Sequence, residues 1–195
     1  MIRQFILSFI PLFVAVDALG NIPFFISLTS GMAPKQRKTV VNESVSVAGL
    51  LAVLFMLIGK WVLRVMGITV SDFKIAGGIL LLVISVNLLL PGKNKFIKLP
   101  EGQQSIGIFP LATPLITGPA VLTTTLIMAD HFGILMTLVS LILNMLITWV
   151  VFLGSGRILR LIGESGSRAI SKVSDILLAA IAVMLIRQGI AEVFC

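Results

Sequence analysis

The chain has 195 residues, 57% of them hydrophobic and only 12% charged, with a formal net charge of +7. That charged share is about half of what a soluble domain carries, and roughly 20 apolar residues suffice for each bilayer crossing. A soluble enzyme, a disulfide-stapled secreted scaffold, a disordered chain and a collagen-like fibre are excluded.

Six apolar stretches follow one another at 5–30, 40–65, 73–90, 106–128, 132–153 and 173–194. In lipid every backbone polar group must be satisfied within its own segment, so these stretches read as helices. The short alternating segments of a barrel are absent. The expected fold is an all-α membrane protein with six transmembrane helices.

Arg3 followed by an apolar run imitates a signal peptide, but Asp17 stands where cleavage would need small neutral residues. The first helix is therefore read as retained. Ten of the fifteen Lys and Arg residues fall in the first, third and fifth links, among them Lys35, Arg37, Lys38, Lys93, Arg157 and Lys172. The positive-inside rule then puts those links in the cytoplasm and both termini on the outer, periplasmic side of an inner membrane.

The basic charge has no nucleic-acid motif beside it. His131 and Cys195 are the sole His and Cys. No metal, cofactor or disulfide is expected, and neither a hydrolase constellation nor a nucleotide-binding loop is present. The chain reads as a non-enzyme.

The two halves resemble each other. Residues 18–23 align with 114–119 at an offset of 96, bringing Pro23 onto Pro119. Leu63-Arg64 and Gly67 align with Leu159-Arg160 and Gly163 at the same offset. The halves are taken as 1–92 and 93–195 within one membrane domain. Each holds three helices, an odd number, so the second must enter the membrane inverted, as in many transporters.

Helices one and four are discontinuous. Gly20, Asn21 and Pro23 interrupt the first, and Thr113, Pro114, Thr117, Gly118 and Pro119 the fourth. Gly permits non-helical backbone, and Pro suits the start of a new helix. Each restart would expose unpaired N–H groups with a partial positive charge, suited to a carboxylate. The preceding half-helix would offer free carbonyls to an ammonium group, so a zwitterionic amino acid matches both. The alternative is a pair of structural proline kinks.

Asp17 reads as the one acidic residue deep in a span, and such a group is a functional candidate by default. It either couples a proton or cation or caps the broken backbone around Gly20 and Asn21. Asn87 and Asn144 are either cavity-lining or interhelical hydrogen-bonding residues. Gly77-Gly78 reads as a close-packing face, and Asp175 as interfacial.

Asp17-Ala18-Leu19-Gly20-Asn21-Ile22-Pro23 resembles the Asp-Pro-x-Gly-Asn-x-Pro signature of the MarC family. Residues 110–119 resemble its second signature, and Ala76-Gly77-Gly78-Ile79 and Gly163-Glu164-Ser165-Gly166 also fit. The resemblance covers essentially the whole chain, with one departure: Ala18 replaces the usual proline. The family comprises small bacterial and archaeal inner-membrane proteins, part of which is classed as neutral amino acid transporters. The resemblance implies a secondary transporter of small neutral amino acids such as glycine and alanine. The alternative is a non-transporting membrane partner or sensor subunit. The expected partners are an amino acid, the lipid bilayer and, in a homo-oligomer, further copies of the chain.

Overall fold

The computed structural model describes residues 2–29, 31–90 and 106–194. Among them every regular element is helical: α1 (Ile2–Val16), α2 (Ile22–Leu28), α3 (Pro34–Met66), α4 (Val70–Leu89), α5 (Gly107–Ile116), α6 (Pro119–Phe132) and α7 (Ile134–Phe194). The boundary between the halves at 92/93, the third basic link and Cys195 lie outside the described residues.

Two helices start earlier than the apolar runs suggest. α3 begins at Pro34, whose fixed φ suits a first helical position, and the Ala33 N–H donates to Gln36 Oε1 at 2.9 Å. α3 stops at Gly67, which takes φ 67 and lets the Ile68 N–H reach Leu63 O at 3.0 Å. α4 then starts at Val70 because Thr69 and Asp72 cap each other. The Asp72 N–H donates to Thr69 Oγ1 at 3.1 Å, and the Thr69 N–H to Asp72 Oδ2 at 2.8 Å. Polar Ser71 and Asp72 hide this first turn from a reading based on hydropathy.

The fifth and sixth apolar stretches both lie in α7, whose backbone is helical through the link between them. α7 is nonetheless not straight. Phe152 stacks on Phe25 with centroids 4.6 Å apart, while Ser27 Oγ donates to Asp175 Oδ1 at 3.4 Å. In a straight helix rising 1.5 Å per residue, Phe152 and Asp175 would be about 35 Å apart. Both contact the same turn of α2, so α7 folds back between them into two limbs.

Among the described residues, four helical segments are long and apolar enough to cross a membrane: α3, Val70–Asn87 of α4, and Ile134–Arg157 and Asp175–Val193 of α7. α5 and α6, bent by 55° at their junction, make a fifth if taken as one span. Arg3–Val16 of α1 is a shorter apolar helix.

The core draws on both halves. Leu12, Phe25 and Val40 share one cluster with Leu111, Leu141 and Phe152, and Phe24 and Leu81 share another with Leu178 and Leu185. The two halves therefore form one packed body. α4 and the second limb of α7 approach closely at glycines, because small residues let helices come together. A Cβ at Gly78 would sit 2.8 Å from Ala182 O, and one at Gly189 would sit 2.8 Å from Ser71 O. Gly78 thus has the close-packing role expected from sequence, and Gly189 is its unforeseen counterpart.

Candidate substrate-binding site

The first break is a tight turn. α1 ends at Val16, Asp17 takes a left-handed φ of 43, and α2 restarts at Ile22 with Pro23 in its first turn. Asp tolerates this backbone region better than most residues. The Gly20 N–H donates to Asp17 Oδ1 at 3.0 Å, and Asn21 Nδ2 donates to Val16 O at 2.9 Å. The Asn21 N–H reaches Asp17 O at 3.0 Å, and the Ile22 N–H reaches Leu19 O at 3.1 Å. The interruption thus supplies its own hydrogen bonds. Gly20 lets the Asp17 carboxylate come close, since a Cβ there would meet it and displace the side chain.

The second break is built differently. α5 is irregular, with extended backbone at Phe109 and Thr113, each followed by a cis proline, Pro110 and Pro114. Its last turn is wide, with the Thr117 N–H reaching Ala112 O at 2.9 Å. Gly118 follows in extended conformation, and Pro119 is the first residue of α6. A Cβ at Gly118 would run into Pro114 O, so only a residue without a side chain fits this turn.

Both breaks open onto one cavity of about 320 Å³. Asp17 and Asn21 line it from the first break, and Pro114, Gly118 and Pro119 from the second. Ala120 and Val121 line it too. As second and third residues of α6, their N–H groups have no carbonyl one turn back to bond. Phe24, Leu81, Leu178 and Leu185 form apolar walls. The volume lies at the small end of ligand pockets, which run from about 300 to 1,000 Å³. The site offers one carboxylate, one helix N-terminus and a hydrocarbon lining.

The other proposed ligands lie outside this cavity. Gly20 stands beside Asp17, Pro23 lies in the first turn of α2, and Thr113 is exposed. Thr117 is buried, and its hydroxyl donates to Ala48 O on α3 at 2.9 Å. It ties the break to its neighbour. Thr117→Val is therefore expected to lower stability by about 1 kcal/mol while leaving substrate affinity unchanged. Thermal unfolding and a binding titration on one preparation check this.

The structure corrects two readings of acidic residues. Asp17, read as the one acidic residue deep in a span, is exposed at the turn. Asp175, expected at the interface, is 3% exposed and accepts from Ser27. Glu43 lies against Gly107 at the start of α5, and its Oε2 is buried without a partner. Its position inside the second apolar stretch was the available signal. Asn144 lies at a helix contact, donating to Ser140 O at 2.9 Å and Phe9 O at 3.4 Å. Gly77, read only as a packing residue, abuts Pro119 at the start of α6. Among the described residues, no three of His, Cys, Asp and Glu converge as metal ligands do.

The model of the MarC family integral membrane proteins matches residues 2–194. The chain belongs to the MarC family. A UPF0056 membrane protein of Archaeoglobus fulgidus is 35% identical to it, over 96% of this chain and 92% of its own length. UPF0056 membrane protein MJ1677 of Methanocaldococcus jannaschii is 34% identical, over 97% of each chain. UPF0056 inner membrane protein YhgN of Escherichia coli K12 is 29% identical, over 96% of each. No solved structure matches the chain.

As a MarC protein it is an integral membrane protein, and the two segments that resemble the family signatures form the two breaks around the shared cavity. The departure at Ala18 has a local reading. A proline at that position would push Asp17 toward extended backbone, whereas Ala18 allows the left-handed turn that brings the Asp17 carboxylate to the Gly20 N–H.

Proposed function

We propose that this MarC protein is a secondary transporter of small neutral amino acids, working by alternating access in an inner membrane. The observation that carries the reading is the meeting of both helix breaks at one small cavity. A substrate carboxylate would take the N–H groups of Ala120 and Val121, and its ammonium group would take Asp17. The apolar walls would admit a hydrogen, a methyl or a similarly small side chain.

The proposal includes six membrane passes arranged as two inverted three-helix repeats, 1–92 and 93–195. α1 with α2, and α5 with α6, are the discontinuous first helix of each. The basic ends at Lys35, Arg37, Lys38 and Arg157 then face the cytoplasm, and both termini the outside. Rocking one repeat against the other would expose the cavity to each side in turn.

The test is counterflow in proteoliposomes made with the full chain. Liposomes preloaded with alanine are expected to accumulate labelled alanine or glycine saturably, with competition between the two. Failure of glycine, alanine and threonine both to exchange and to bind the purified protein would remove the substrate assignment.

A further inference from the structure

A second feature lies away from the helix breaks, along the seam between α3 and the first limb of α7. On α3, Arg37, Val41, Val45, Gly49 and Val53 recur at intervals of four, a ridge that winds slowly around the helix and lines the seam. On α7, Arg157, Leu153, Trp149, Met145 and Leu141 do the same in the opposite direction. Two cavities lie end to end on this seam. One, of about 440 Å³, is walled by Arg37, Lys38 and Arg157 above Val41 and Phe152. The other, of about 400 Å³, is an apolar groove between Val45, Gly49 and Val53 on one side and Leu141 and Met145 on the other. At their junction Trp149 Nε1 donates to Asn42 Oδ1 at 2.8 Å. Tryptophan is favoured at the level where headgroups meet hydrocarbon.

The cations of the upper cavity lack a counter-charge among the described residues. The ion pairs among the described residues join Lys60 to Asp130 and Lys74 to Glu192, on other parts of the surface. Arg37 Nη2 donates to Thr29 O at 3.4 Å, but its buried Nε finds no acceptor. Gly156 packs beside this guanidinium, where a Cβ would meet Nη1 in ordinary contact at 3.5 Å. Arginine is matched geometrically to phosphate oxygens. A free anion would occupy the basic cavity alone, whereas the groove continuing from it suits a hydrocarbon chain.

We propose that this seam holds one acidic phospholipid, its phosphodiester on Arg37, Lys38 and Arg157 and an acyl chain along Gly49. Basic cavities between helices on the cytoplasmic side take lipid headgroups in this way. The inference is independent of the amino acid reading and survives its failure.

The test uses the full chain, purified and delipidated in neutral detergent, with lipid retention followed by native mass spectrometry. Phosphatidylglycerol is expected to be retained about tenfold better than phosphatidylcholine, as a cluster of cations near the headgroup implies. Arg37→Gln with Arg157→Gln should bring the two lipids level. Gly49→Leu, which fills the groove and keeps the charges, should weaken retention of both. If the double variant does not fold, Arg157→Gln alone carries the test, because that side chain is exposed. Equal retention of both lipids by the native chain would overturn the proposal. So would displacement of phosphatidylglycerol by inorganic phosphate at equal concentration, an unchanged preference in the charge variants, or a lipid-free dimer that covers the seam.

Discussion

Asp17→Asn is expected to fold normally and to bind alanine about 10- to 100-fold more weakly, the cost of losing a hydrogen bond to a charged partner. The residue has two tasks at one carboxylate. It accepts from the Gly20 N–H, which fixes the turn of the first break, and it lines the cavity. An asparagine retains an oxygen for Gly20 and removes only the charge. Asp17→Ala removes both, and should add a stability loss of about 1 kcal/mol to the same loss of affinity. The pair of variants therefore separates the cap from the ligand. Titration with alanine and thermal unfolding are read on each. Native affinity in the asparagine variant would leave Asp17 as a cap alone. Transport by that variant with native pH dependence would assign any coupled proton elsewhere, with Glu43 and Asp175 as the next carboxylates to substitute.

The breaks were legible in the sequence because they rest on local chemistry. Pro23 and Pro119 restart helices wherever the rest of the fold lies, and both stand in the first turn of the helix that follows. Gly77-Gly78 was legible for the same reason, since a small-residue pair in an apolar span has few other uses. The direction of individual side chains was not. Thr117 sits within a signature segment, yet its hydroxyl turns to α3, because the wide last turn of α5 rotates it away from the cavity. Nor could hydropathy find the start of α4, where the Thr69–Asp72 cap is made of residues that look like a loop. Asp175 looked interfacial by position. Its burial depends on α2, far away in sequence, lying against the second limb of α7. The two breaks occupy equivalent positions but differ in construction, a turn closed by side chains in one and irregular extended backbone in the other. Aligning the two halves shows the shared prolines and hides this difference.

Gly77→Ala is expected to damage the site from outside it. Gly77 is on α4, and a Cβ there would overlap the Pro119 ring, lying 2.9 Å from its Cδ. That ring is the first residue of α6, next to Ala120 and Val121, which line the cavity. It has little freedom to yield, since Gly118 before it is already packed against Pro114 O. Relief must come from moving the α6 start or separating α4 from it, and overpacking of this kind costs about 1 to 3 kcal/mol. The predicted result is a lower unfolding temperature together with a loss of alanine affinity, although Gly77 does not line the cavity. Gly154→Ala is the matched control. It also adds one methyl within a long helix, but nothing lies within 4 Å of the new atom. Helix propensity there favours alanine by up to about 1 kcal/mol, so stability should hold or rise and affinity should stay. Binding at native strength in Gly77→Ala would show that the α6 N-terminus does not hold the substrate carboxylate. The anion would then have to be placed on other groups of the same cavity.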